Sequence, residues 1–163
     1  MTGWRDLSVS WQDLHRDAQA LARRLAALAP FRGIVAIARG GLVPAAVVAR
    51  ELDIRLLDTA SIETYRRERE LGQPRLLKPP CEEARRDRGA GWLIVDDLTD
   101  TGATARIARG LMPAAHFATV YAKPAGRPLA DSFVTEVSQD TWIVFPWEAA
   151  PPAAGPPPAG PVR

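Results

Sequence analysis

The sequence predicts an α/β fold: an open, mostly parallel β-sheet flanked by helices. Three observations lead there. Three short, nearly continuous apolar runs, Ile34 to Ala38, Arg55 to Ala60 and Trp92 to Val95, have the length expected of strands buried on both faces. The first and third lead through glycine-bearing turns into helical stretches. Strand, loop, helix, strand then recurs, a succession that calls for right-handed crossovers on one sheet.

The first helix should start at Ser10-Trp11-Gln12-Asp13, where Ser10 can accept from the first turn and Asp13 can reach back, as in a capping box. Leu14, Ala18, Leu21, Leu25 and Leu28 then recur at three- and four-residue spacing, one apolar stripe that Pro30 ends. After the first strand, Gly40-Gly41-Leu42-Val43-Pro44 turns into a second helix reaching about Leu52. The third strand passes through Asp96-Asp97 into Thr101-Gly102-Ala103-Thr104, a helix to about Leu111, and a fourth strand from about Phe117 to Ala122. Between Tyr65 and Gly91 no periodicity is sustained, and eight Arg/Lys face five Asp/Glu. A long flexible loop is expected there.

At 163 residues the chain has the size of one domain. Its 47% hydrophobic and 25% charged residues exclude disorder of the whole chain. No apolar run approaches the roughly 18 residues of a membrane span, and a single cysteine, Cys81, fits a reducing cytoplasm. Six of the fifteen prolines fall in residues 149–163, so a domain over residues 1–148 is followed by a tail expected to be disordered. The net charge of +2 gives little footing for a nucleic-acid groove. It arises from nineteen arginines and only two lysines, Lys78 and Lys123. A retained lysine therefore invites a specific role. His15, His116 and Cys81 are scattered and form no metal set.

The stretch with most chemistry is Leu93-Ile94-Val95-Asp96-Asp97-Leu98-Thr99-Asp100-Thr101-Gly102-Ala103-Thr104. Two acids leaving a buried strand can reach a sugar's hydroxyls or a magnesium ion. Thr101 to Thr104 opens a helix, so free backbone N–H groups, the helix dipole and two hydroxyls converge on one anion, and the glycine permits close approach. This is a phosphate cradle without the lysine and spacing of a P-loop.

At these residues the sequence resembles the type I phosphoribosyltransferases, whose signature is a hydrophobic run, two acids, and D-T-G-x-T. The likeness spans about Trp11 to Trp147. Arg39-Gly40-Gly41-Leu42-Val43-Pro44, Ala122 to Leu129 and Gln139-Asp140-Thr141-Trp142-Ile143 extend it toward the purine enzymes. The resemblance implies a Mg²⁺-dependent transfer of the 5-phosphoribosyl group from phosphoribosyl pyrophosphate to guanine, xanthine or hypoxanthine, on a sheet carrying a flexible loop and a small C-terminal hood over the base. A regulator that binds the same pyrophosphate without catalysis, or an enzyme for another base, is the alternative. A homo-oligomer, a tetramer in relatives, and in some relatives peripheral association with the inner membrane, are also implied.

Residue by residue, Arg39 and Gly40 resemble the pyrophosphate loop. Arg69 resembles the flexible-loop arginine, with Arg66, Arg67 and Arg75 as alternatives. Asp96 and Asp97 would hold the ribose hydroxyls, with Asp97 on the metal, and Leu98, Thr99, Asp100, Thr101, Gly102, Ala103 and Thr104 would bind phosphoribosyl pyrophosphate, with Thr101 to Thr104 as the phosphate cradle. Asp100 is the candidate general base, Lys123 the donor to the purine O6, Trp142 the stacked aromatic and Ile143 the backbone that reads the far edge of the base. Val144 stands where the nearest relatives carry an acid, a difference bearing on xanthine against guanine.

Overall fold

A computed structural model describes residues 5–67 and 70–148. Six strands form one sheet in the order β4-β3-β2-β5-β6-β7: β2 (Gly33–Ala38), β3 (Leu57–Arg67), β4 (Glu70–Lys78), β5 (Trp92–Thr99), β6 (His116–Ala122) and β7 (Ser132–Glu136). Every pairing is parallel except β3 with β4. A second, two-stranded parallel sheet joins β1 (Arg5–Ser8) to β8 (Thr141–Val144). Helices α1 (Trp11–Ala26), α2 (Leu42–Glu51), α3 (Glu82–Arg85) and α4 (Ala103–Leu111) cover the main sheet.

Successive strand residues point to opposite faces, and both faces are covered. Ile34, Ala36, Leu93, Val95, Ala118 and Val120 face α1 and α2, together with Ile143 from the smaller sheet and Phe145 just after it. Val35, Ile37, Trp92, Ile94 and Phe117 face α3 and α4. This is why the central strands read as unbroken apolar runs. Gly33 leaves room for the indole of Trp92, whose ring a Cβ would approach to 2.6 Å.

The predicted cap forms: the Asp13 N–H donates to Ser10 Oγ at 3.1 Å, and the Ser10 N–H donates to the Asp13 carboxylate at 3.2 Å. Leu14, Ala18, Leu21, Ala22 and Leu25 are buried along α1. Leu28, expected on the same stripe, is instead 52% exposed, because the helix ends at Ala26 and the chain has turned off the stripe. The run from Arg55 becomes a strand only at Leu57 and continues to Arg67.

The largest departure is the expected loop. Most of its first half is strand, since β3 and β4 form an antiparallel ribbon with Ser61 opposite Lys78, Glu63 opposite Arg75 and Thr64 opposite Pro74. β4 is an edge strand, where a proline and a row of ionic side chains are tolerated because one side needs no ladder donors. Lys78 holds the base of the ribbon, donating to Asp58 at 3.1 Å and to the Thr59 carbonyl at 2.5 Å. Asp58 also accepts the Cys81 N–H at 2.5 Å.

Candidate active site

The carboxyl ends of β2 and β5 and the middle of β3 open on a cleft of about 1050 Å³. Such strand ends are where open α/β sheets bind ligands. Three segments build its floor.

The first is the turn after β2, where the exposed Arg39 and half-buried Gly40 lie on the cleft wall. A Cβ on Gly40 would fall 2.2 Å from Asp97 Oδ2, and one on Gly41 would fall 2.4 Å from the Val95 carbonyl. The two glycines thus let the turn press against β5. The second segment is the acid pair at the end of β5. Asp96 is buried and accepts the Asp97 N–H at 2.9 Å. Burial, and then the neighbouring charge of Asp97, push its carboxyl well above the ordinary carboxylate range. The third is the turn Thr101 to Thr104. Gly102 has φ +82° and α4 begins at Ala103, so the first amides of the helix face the cleft where an anion is favoured. The Thr104 hydroxyl lies 3.5 Å from that of Thr64 on β3.

Asp100 stands between the acid pair and the cradle. Its Oδ2 accepts from Lys123 Nζ at 2.8 Å and its Oδ1 from Gln139 Nε2 at 2.9 Å. Lys123 is buried at 1% exposure, held where its own N–H donates to the Thr99 carbonyl at 2.9 Å. Close packing of these two loops depends on Gly126, since a Cβ there would meet Thr99 Oγ1 at 2.5 Å and the Asp100 carbonyl at 2.7 Å.

Of the candidate residues, Arg39, Gly40 and the run from Asp96 to Thr104 all line the cleft. Lys123 joins the site through Asp100 rather than through the cleft wall. Trp142, half-buried, and Ile143, buried, lie on β8 beside β1 and are likewise set back from that wall. Arg69 falls outside the described residues, as do the side chains of Arg66 and Arg67. Arg75 pairs across the ribbon with Glu63 at 3.1 Å.

Several wall residues escaped the sequence. Ser61, Glu63 and Thr64 fall between the apolar run that ends at Ala60 and the loop expected from Tyr65, and Trp147 and Glu148 follow the last strand, with no motif to mark any of them. Trp147 stacks on Phe145 with centroids 4.9 Å apart, and Glu148 accepts the Phe145 N–H at 3.2 Å. Among the described residues no cluster of three or more His, Cys, Asp or Glu is built for a metal. The hard carboxylate oxygens at the end of β5 nevertheless fit a magnesium ion that takes most of its ligands from substrate and water.

Residues 11–153 match the phosphoribosyl transferase domain model, and the chain belongs to that family. It is 60% identical, over 86% of its own length and 83% of the relative's, to a xanthine-guanine phosphoribosyltransferase of Nitratidesulfovibrio vulgaris strain DP4. It is 56% identical, over 88% and 87%, to a protein of the same name from Desulfotalea psychrophila. Among solved structures, a purine phosphoribosyltransferase from Pyrococcus horikoshii superposes with a TM-score of 0.71 at 29% identity, covering 93% of this chain and 99% of that one. A xanthine-guanine-hypoxanthine phosphoribosyltransferase from Helicobacter pylori shares the fold, with a TM-score of 0.70 at 20% identity and coverage of 89% and 95%.

Proposed function

We propose that this protein is a purine salvage enzyme that transfers the 5-phosphoribosyl group from phosphoribosyl pyrophosphate to guanine, xanthine or hypoxanthine, releasing pyrophosphate. The observation that carries it is the Asp100–Lys123 pair set directly before a helix N-terminus that suits a phosphate. Identity of 60% to a xanthine-guanine phosphoribosyltransferase supports the same substrates.

The 5-phosphate would sit on the Thr101 to Thr104 amides and hydroxyls. The Asp96 and Asp97 carboxylates would take the ribose hydroxyls. Arg39 and the Gly40 turn would receive the pyrophosphate, a guanidinium fork suiting its oxygens, and Arg69 would add a second fork. Holding a polyanion at both ends fixes the sugar's C1 against the base, and that alignment is the main catalytic resource. Asp100 would take the proton from the imidazole edge of the purine as the new C–N bond forms. Lys123 would donate to O6, which favours oxopurines over adenine, with Trp142 on the base face and the Ile143 backbone at its far edge. Mg²⁺, held in part by Asp97, would neutralise charge on the departing pyrophosphate. A homo-oligomer, a tetramer by resemblance, in the cytoplasm or at the inner face of the membrane completes the proposal. Among the described residues no helix is long and apolar enough to cross a membrane.

The test is pyrophosphate release with guanine, xanthine, hypoxanthine and adenine offered separately. Turnover with the oxopurines and little with adenine is expected. No turnover with any oxopurine removes the enzyme assignment, and preference for adenine removes the role of Lys123. Asp100→Asn should lower kcat by about 10²-fold or more, the range of a lost general base, while leaving binding of phosphoribosyl pyrophosphate intact.

A further inference from the structure

Asp100 is gripped at both oxygens by groups far apart in sequence, and one of them has no part in the chemistry described above. Gln139 lies in the turn between β7 and β8, three residues before Trp142. Its side chain is exposed, yet both ends of its amide are engaged. Oε1 accepts the Ala125 N–H at 3.0 Å, and Nε2 donates to Asp100 Oδ1 at 2.9 Å. The first contact sets the second: with the oxygen committed to a backbone donor, the nitrogen must point at the carboxylate. On the other side Lys123 Nζ donates to Oδ2. A carboxylate held by two donors, one on each oxygen, cannot rotate about its Cβ–Cγ bond without breaking one of them.

We infer that Gln139 is a positioning residue for the transfer reaction, fixing the plane of the Asp100 carboxylate and tying it to the strand that carries Trp142 and Ile143. This rests on the function proposed above. The turn from Lys123 to Gly126 is already locked to the Thr99–Asp100 segment by Lys123 N–H to Thr99 O and by the close approach at Gly126. Gln139 brings the β7–β8 turn into the same cluster through Ala125. The base and the aromatic expected to cover the purine thereby move as one unit, and an error of about 1 Å in such a group is worth roughly a hundredfold in rate.

Two variants of nearly the same shape separate positioning from simple bridging. Gln139→Glu keeps an acceptor for the Ala125 N–H but sets a second carboxylate against Asp100. Gln139→Met keeps neither contact and adds no charge. A bridging role makes the Met variant the worse; positioning makes the Glu variant the worse. We expect kcat to fall about tenfold in Gln139→Met and further in Gln139→Glu, with KM for phosphoribosyl pyrophosphate within about twofold of the parent, since only transition-state alignment is lost. Melting temperature is measured alongside, and an exposed residue should leave it nearly unchanged. The inference is overturned if both variants keep the parental kcat, if Met is the worse of the two, or if kcat falls only in step with melting temperature. Absence of oxopurine turnover in the parent protein would instead remove the proposed function itself.

Discussion

Gly40 and Gly41 are neighbours that exclude a side chain for different reasons, and the difference separates activity from stability. A methyl at Gly40 would strike the end of the Asp97 side chain, within 2.2 to 2.7 Å of its three carboxyl atoms. A carboxylate can swing aside at small cost to the fold. A methyl at Gly41 would strike the carbonyls of Val95 and Ile37 at 2.4 and 2.8 Å, and backbone inside a sheet has no such freedom. Gly40→Ala should therefore fold with stability within about 1 kcal/mol of the parent and lose most of its turnover, because Asp97 is displaced from the cleft. Gly41→Ala should lose about 1–3 kcal/mol, the range for overpacking, by urea denaturation. Equal loss of stability in both would refute this separation. Asp96 adds a second contrast. Its folded-state pKa is raised, by burial and by Asp97, so its contribution to stability is fully present below the ordinary value of 3.8 and is lost as pH climbs through the raised value. Asparagine keeps an oxygen for the Asp97 N–H and carries no charge. In magnesium-free buffer Asp96→Asn should be more stable than the parent at pH 7, with the advantage shrinking toward pH 4, while activity falls. An advantage that did not change with pH would contradict it.

The β3–β4 ribbon shows why some elements could be read from the sequence and others could not. β2, β5 and β6 lie inside the sheet, so burial on both faces forces continuous apolar runs; α1 and α4 each bury one face, which forces a stripe. Their residues carry the pattern on their own. β4 covers one side of β3 and faces solvent at the edge, so Pro74, Arg75 and Lys78 are all permitted and no period survives. The site divides the same way. Asp96 to Thr104 is one contiguous stretch whose chemistry is local, whereas Gln139, Trp147 and Glu148 gain their meaning only from tertiary contacts. Lys78 is explained by the ribbon: it joins the end of β4 to Asp58 and Thr59 on β3. Burial alone would raise the Asp58 carboxyl, but donors from Cys81, Thr59 and Lys78 outweigh it and hold it below its usual value. With Lys78 half-exposed, Lys78→Met should cost only about 1 kcal/mol. Amide exchange should quicken in β4 and remain slow in β5. Uniform quickening across the sheet would show that the ribbon does not open as a separate unit.

Two bodies of the fold share the work at the cleft and are anchored differently. The phosphate cradle, acid pair and Arg39 turn stand on β2 and β5, whose flanking residues are buried on both faces. Among the described residues, the strand expected to carry the purine contacts, β8, pairs with the short β1 alone. It is tied to the main core through Ile143 and Phe145, the latter 3% exposed, with its ring 5.9 Å from Tyr121 and stacked on Trp147. Trp147 in turn lies 6.0 Å from Trp11 at the start of α1 and also lines the cleft. Phe145 is thus where the smaller sheet, the first helix and the cleft meet. Phe145→Ala should lower global stability by about 3–5 kcal/mol, the usual range for an emptied aromatic site. It should also act unevenly on the two substrates. The site proposed for phosphoribosyl pyrophosphate stands on the ends of β2 and β5, whereas the ring contacts of Phe145 run to Tyr121 and Trp147, so its KM should stay close to the parental value at a temperature where the variant is folded. KM for the purine should rise, because β8 and Trp147 have lost the surface that holds them in place. Steady-state kinetics with each substrate varied in turn reads the difference. A parallel rise in both constants would mean that the cleft responds as a single rigid body, and that the division between a phosphate-holding floor and a separately anchored purine strand is wrong.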